Sequence, residues 1–254
     1  MTSRAQHWVH FIERLAPKRG ERILDLGCGS GEAIQRVLEV AGVRSVIGLD
    51  RSAGMLRAAH RRLAAHLSRG KAELHLADAG AELPFQPATF DAVFSAELME
   101  CLPETRQYRL LREIRRVLRP GGRVLLEHTD WDTQLWNASD RSLERRLVHA
   151  FCDWKQGWMD SADGWMGRQL LGLVRRARLF QGIEGSAYVL INDRYRPGTF
   201  GYDRSVDLKA LAKNRKRIRP AEVQRFLRDL GAQDRRGAYF YSVNRYIVSG
   251  KRPS

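Results

Sequence analysis

Cysteine is scarce in this chain of 254 residues: there are three, Cys28, Cys101 and Cys152. They stand far apart with no C-x-x-C spacing, which argues against a disulfide framework and against a structural zinc site. Long apolar runs are missing as well. No stretch approaches the ~18 to 20 residues of a membrane span, and the opening Met1-Thr2-Ser3-Arg4-Ala5-Gln6-His7-Trp8 lacks the apolar core of a signal peptide. A soluble protein in a reducing cytoplasm, without a membrane partner, is the expectation. Lysine is rare too: of 44 basic residues 7 are Lys and the remaining 37 are Arg, a bias that a GC-rich coding sequence produces without pressure for binding. Acids number 29, so the formal charge is +15. The basic run Lys209, Lys213, Arg215, Lys216, Arg217 and Arg219 contains no intervening acid, a pattern that attracts nucleic acid but that more commonly marks a solvated helix face.

What the chain does contain is organised around Glu21-Arg22-Ile23-Leu24-Asp25-Leu26-Gly27-Cys28-Gly29-Ser30-Gly31. Ile23, Leu24 and Leu26 read as a short buried strand, and three glycines at alternate positions follow at once. A helical pattern then begins, with Ala33, Ile34, Val37, Leu38 and Ala41 on one side. Glycines at a strand-to-helix crossover let backbone approach a ligand closely. The spacing is not the G-x-G-x-x-G of dinucleotide sites, because Glu32 stands at the sixth position, and no Gly-Lys-Ser or Gly-Lys-Thr of a P-loop follows. Ser45 to Asp50 is a second short strand ending in a carboxylate 19 residues past Gly31. A strand-end Asp also caps helices, but after such a glycine turn it is placed to accept both hydroxyls of a ribose.

With D-x-G-x-G-x-G and the later Leu118-Arg119-Pro120-Gly121-Gly122-Arg123-Val124-Leu125, the chain resembles class I S-adenosylmethionine (SAM)-dependent methyltransferases. Within them it is most similar to the small-molecule type of ubiquinone and menaquinone biosynthesis. The resemblance covers roughly residues 20 to 130, with a fainter likeness beyond. It implies an α/β fold: a Rossmann-like, doubly wound, seven-stranded sheet, mostly parallel with an antiparallel C-terminal strand, plus helical cap insertions. One domain over 1–254 is expected, with a SAM-binding core at about 20–130 and caps at about 135–180 and 200–235. The implied cofactor contacts are Asp25, Gly27, Gly29 and Gly31 at the turn, Asp50 on the ribose, Arg51 and Met55 flanking the adenine, Asp78 and the Ala79 N–H at the adenine edge, and Ser95 at the end of the fourth strand.

Relatives carry a His where this chain has Cys101, so a mechanism leaning on that base loses it here. Cys101 reads as a small buried replacement. The run His128-Thr129-Asp130-Trp131-Asp132 follows the fifth strand. His128 and Asp130 are therefore the candidate general bases, although a helix-capping Asp and a core His fit the same pattern. The Trp154, Trp158 and Trp165 region exceeds what the core needs and reads as a lid or substrate wall. The expected reaction is methyl transfer from SAM to a small molecule, O- or N- rather than C-methylation, in natural-product or secondary metabolism, with S-adenosyl-L-homocysteine as product. No metal is called for, nucleic acid is not the expected partner, and a homodimer is a candidate assembly. An RNA methyltransferase and an inactive, methyltransferase-like binding protein are the alternatives.

Overall fold

A computed structural model describes residues 3–40, 42–214 and 218–254. The chain runs α1 (Ser3–Leu15), β1 (Arg22–Leu26), α2 (Glu32–Leu38), β2 (Ser45–Asp50), α3 (Ala53–Ser68), β3 (Ala72–Leu76), β4 (Phe90–Ala96), α4 (Glu104–Val117), β5 (Leu118–Thr129), β6 (Leu135–Trp136), α5 (Arg141–Cys152), α6 (Met166–Ala177), β7 (Gln181–Asn192), α7 (Phe200–Asn214), α8 (Pro220–Arg235) and β8 (Tyr241–Lys251). These strands form one sheet in the order β3-β2-β1-β4-β5-β8, with β7 on the far edge of β8. Only β8 runs against the others: it pairs antiparallel with β5 and with β7. The two-residue β6 pairs with the start of β8, in line with the end of β5, and has no counterpart in the seven expected strands.

Alternation along the central strands decides which helices cover which face, because successive side chains in a strand point to opposite sides. Ile23, Val46, Phe94 and Leu125 pack with Phe11, Ile34, Val37 and Leu63, so α1, α2 and α3 lie on that side. Their neighbours Leu24, Ile47, Val93 and Leu126 pack with Leu110, Ile114, Leu170 and Leu173 of α4 and α6. Both faces are covered, which is why these strands read as near-continuous apolar runs rather than alternating ones. A third buried cluster, with Trp131, Trp136, Leu147, Leu208, Phe226 and Tyr241, joins α5, α7 and α8 beyond the ends of β5 and β8.

The Leu118-Arg119-Pro120-Gly121-Gly122 stretch follows α4 directly and already belongs to β5. Extended backbone begins at once at Leu118, pairs there with Phe90, and the register then jumps to Ala92 opposite Arg123. The irregularity absorbs residues 119–122, with Gly121 at φ +74°. Gly121 N–H and Gly122 C=O are bonded to Arg252, so this corner is stitched to the C-terminus.

Candidate functional site

The carboxyl ends of β1, β2 and β4 and the segment after β3 surround a cavity of about 480 Å³ lined by Gly27, Gly29, Leu49, Asp50, Arg51, Ser52, Met55, Ala79, Ala96, Glu97, Leu98, Cys101 and Trp158. Its floor is the glycine turn. Gly29 has φ +52°, and a Cβ built there meets no protein atom within 4 Å, so a side chain at this residue of the lining would extend into the cavity. Gly31, at φ +77°, serves packing instead: a Cβ there would lie 2.9 Å from Leu63 Cδ1, so its absence lets α2 start tight against α3. Asp50 braces the turn by accepting the Gly29 N–H at 2.8 Å and the Ser52 N–H at 2.8 Å. Behind it Asp25 is buried, with Oδ2 unpartnered. Burial, and secondarily the charge of Asp50, pushes the Asp25 carboxyl well above the usual carboxylate range.

Of the residues expected at the cofactor, Gly27, Gly29, Asp50, Arg51, Met55 and Ala79 line this cavity. Asp25 and Gly31 support the turn from behind. Asp78 does not line the cavity: its carboxylate caps the Gly80 N–H at 2.8 Å and is paired with Arg106. Burial raises that carboxyl, but the Gly80 and Arg106 bonds outweigh it and hold it below its ordinary value. Ser95 is 1% exposed and donates its hydroxyl to the Leu26 carbonyl at 2.8 Å. The two-residue period of β4 turns Ser95 inward, while Ala96 and Glu97 line the cavity. Arg51 is drawn to the rim, bonded to Asp160 at 3.0 Å and to the Trp158 carbonyl. Asp160 also meets Arg106, and its N–H and that of Ser161 donate to the Cys101 carbonyl, so the loop after α5 is tied across the mouth.

A second cavity, about 240 Å³, shares Glu97 and Trp158 with the first and is further lined by Glu100, Trp131, Phe151, Cys152, Trp154, Gln156, Met159, Ala162, Asp163, Gly164, Phe200, Asp203 and Arg204. Glu97 sits at the junction with φ +58°. That conformation costs a non-glycine residue of order 1–3 kcal/mol and persists only where the surroundings over-determine it. Here its Oε1 accepts the Thr129 N–H at 3.1 Å, the Thr129 hydroxyl at 2.5 Å and Arg245 Nη2 at 3.0 Å. Arg245 is 3% exposed and also pairs with Glu127 at 3.1 Å, which takes a bond from Tyr188 Oη at 2.6 Å; Tyr188 in turn meets His7 at 2.6 Å. A buried polar chain thus runs from α1 across β7, β8 and β5 to the junction.

Glu100, 8% exposed, accepts Trp131 Nε1–H at 2.7 Å. Burial, helped by the charge of Glu97 and opposed by His128 and Trp131, pushes its carboxyl up to about 7. Cys101 is buried, and burial followed by the charges of Glu100 and Glu97 pushes its thiol well up, which suits a packing residue and not a nucleophile.

The expected bases are placed otherwise. His128 is fully buried and lines neither cavity; Nδ1 faces the Thr129 carbonyl at 3.0 Å and Nε2 takes a long bond of 3.5 Å from the Glu100 N–H. Asp130 is likewise fully buried, clasped by Arg168 Nε and by Nη2 at 2.7 Å. Both are corrected to positions behind the cavity wall: His128 is still within β5, paired with Tyr246 of β8, and Asp130, just past the strand, is covered by α6. A Cβ on Gly167 would stand 2.8 Å from the Asp130 backbone nitrogen, which shows how closely α6 approaches. Among the described residues Glu97, Glu100 and His128 bring ligand-type atoms within 4.8 Å of one another; His128 Nδ1 lies 3.4 Å from Glu97 Oε2 as well as facing the Thr129 carbonyl, and Nε2 faces the Glu100 N–H. Glu100 is the polar residue that sequence reasoning missed; its only trace was a carboxylate three residues after Glu97, just beyond a strand end.

Comparison with known proteins agrees with this geometry. Residues 23–122 match the methyltransferase domain family. The chain is 28% identical over 245 residues (94% of this chain, 64% of the relative) to an uncharacterized 37.1 kDa protein in transposon Tn4556 of Streptomyces fradiae. It is 38% identical over 116 residues (45% of each) to a demethylmenaquinone methyltransferase of Symbiobacterium thermophilum. The chain thus spans about half the length of the curated relatives it matches. Among solved structures, the YcgJ protein of Bacillus subtilis superposes with a TM-score of 0.62 at 16% identity, over 98% of this chain and 99% of that one, a likeness of fold. A glycine turn braced by Asp50, at the carboxyl ends of a 3-2-1-4-5 parallel sheet, lies within the residues that match the methyltransferase domain family.

Proposed function

We propose that this protein transfers the methyl group of SAM to a small organic acceptor, the donor lying in the larger cavity and the acceptor in the smaller. The observation that carries the reading is the junction: two cavities, one floored by the glycine turn and one walled by aromatic rings, meet at Glu97 and Trp158. The residues present fit SAM. Asp50 stands where a ribose would be held, Gly29 leaves its side-chain space open, Met55 and Arg51 are at hand for the adenine ring, and the Ala79 N–H is available at its edge. Asp25, Gly31, Asp78 and Ser95 are assigned to bracing the site rather than touching the cofactor.

When bound, SAM supplies an electrophilic sulfonium methyl. The protein's part is to hold an acceptor in line, within about 3 to 3.5 Å, and to keep water out. The aromatic wall and the tied loop do the second. For a proton-bearing O or N acceptor, Glu100 replaces His128 and Asp130 as the proposed base, being the buried carboxylate on the acceptor wall whose pKa is drawn toward neutrality. Natural-product or secondary metabolism, a cytoplasmic location and a homodimer complete the proposal. Among the described residues no helix is long and apolar enough to cross a membrane. Arg215, Lys216 and Arg217 of the basic run lie outside the described residues, and no nucleic-acid role is assigned to the rest. Isothermal titration with SAM tests the reading directly: micromolar binding is expected, and no binding would overturn it.

A further inference from the structure

We propose that the acceptor is an arylalkylamine, its side-chain nitrogen carried as an ammonium ion, bound in the smaller cavity between its carboxylates and its aromatic wall; this rests on the methyltransferase reading above. The first observation is charge. Glu97, Glu100, Asp163 and Asp203 line this one space, and Arg204 is the only cation among its described lining residues. The chain as a whole carries +15, so an acidic cavity runs against the background of its own composition.

The second observation is how those charges are partnered. Arg204 is engaged by Asp207 at 3.1 Å, and Arg245 holds Glu97 from the sheet side. The hydrogen bonds to Glu100 and Asp163 come from neutral donors: Trp131 Nε1 on the one, the Trp165 N–H and Gln169 Nε2 on the other. Glu100, buried and held by a neutral donor, still gains from a cation, and an anionic acceptor would be repelled.

The third is the wall itself. Trp131 and Phe200 stack with centroids 6.0 Å apart and 6° between planes, and Phe151 and Trp154 continue the surface. That ring faces here take a cation is already visible in Arg204, whose guanidinium carbon lies 5.9 Å from the Trp131 centroid and 5.4 Å from that of Phe200. An ammonium offers three donors to carboxylates and none of an acceptor's lone pairs, while its ring shares the apolar wall. A neutral phenol fills the same space but leaves most of the carboxylates without a new partner. Before methylation the nitrogen has to release one proton to free its lone pair; the N–H bond breaks and an O–H bond forms on Glu100, the carboxylate nearest its neutral form.

The test is a titration of the protein saturated with S-adenosylhomocysteine, using three ligands that share an indole ring: tryptamine, tryptophol and indole-3-acetate. The ammonium ligand is expected to bind at least tenfold tighter than the neutral alcohol and the acid, with Glu100→Gln and Asp163→Asn each narrowing that gap. Equal affinity, a preference for the alcohol or acid, or no binding of any of the three up to about 10 mM overturns the amine class and leaves the methyltransferase reading in place. Failure of S-adenosylhomocysteine itself to bind overturns both. Because the comparison is made on the unmodified protein, it stands even if a variant does not fold.

Discussion

Arg245→Met is the most informative perturbation of the buried network. Arg245 is 3% exposed and Glu127 2%, and the guanidinium is shared between Glu127 at 3.1 Å and Glu97 at 3.0 Å. Removing one member of such a group leaves uncompensated buried charge, which costs about 3–5 kcal/mol. At about 2–4 °C per kcal/mol for a domain of this size, Tm should drop by roughly 10 °C at pH 7. The loss should depend on pH with a definite sign. In the native protein burial raises Glu127, but Arg245 and His7 prevail and hold it well below its ordinary value of 4.5. Its contribution to stability is therefore complete above that value and is lost as pH falls through the lowered one. Without Arg245, burial dominates, the Glu127 pKa moves up, and the folded variant takes up a proton that the unfolded chain has given away. The stability gap between the two proteins should thus be largest near pH 7 and shrink towards pH 4. Urea unfolding followed by tryptophan fluorescence at both pH values measures it. A gap below about 1 kcal/mol at pH 7, the range of exposed pairs, or one that widens in acid, would refute the assignment of Arg245 as the neutralising group.

Asp50→Ala removes a charge-assisted acceptor worth roughly 1.5 to 3 kcal/mol, so SAM affinity by calorimetry should fall about tenfold or more; unchanged affinity would sink its role at the ribose. Gly29→Val places a branched side chain into the cavity at a backbone conformation only glycine adopts easily, and SAM binding should be lost while circular dichroism still reports a folded protein. If Glu100 is the base, turnover should climb as pH rises through about 7 and the carboxyl ionises, and Glu100→Gln should lower kcat by ~10² or more and flatten that profile. Asp130→Asn, by contrast, is expected to lower stability by loosening Arg168 and to leave SAM affinity within about twofold; a selective loss of kcat with normal stability would restore Asp130 to the reaction.

Local pattern decided the first strands and helix and the glycine turn, because each depends on neighbours close in the chain, while the parallel sheet was implied by the family resemblance. Ile23 to Leu26 is apolar on both faces, three glycines meet a demand for positive φ, and Asp50 ends a strand. The two-residue β6 was invisible, since so short a strand exists only by pairing with Ser242 and Tyr241, more than a hundred residues away. Which carboxylate faces which space was also beyond local pattern. Asp78 could not be known to meet Arg106, nor Ser95 to face Leu26, nor Asp130 to be clasped by a helix that begins 36 residues later. The same holds at the junction: Glu97 keeps its left-handed backbone because Thr129 and Arg245 arrive there from β5 and β8, and Glu100 has its raised pKa because burial outweighs the lowering effect of His128. Burial and long-range pairing set those properties, and both are defined only once the strands have come together.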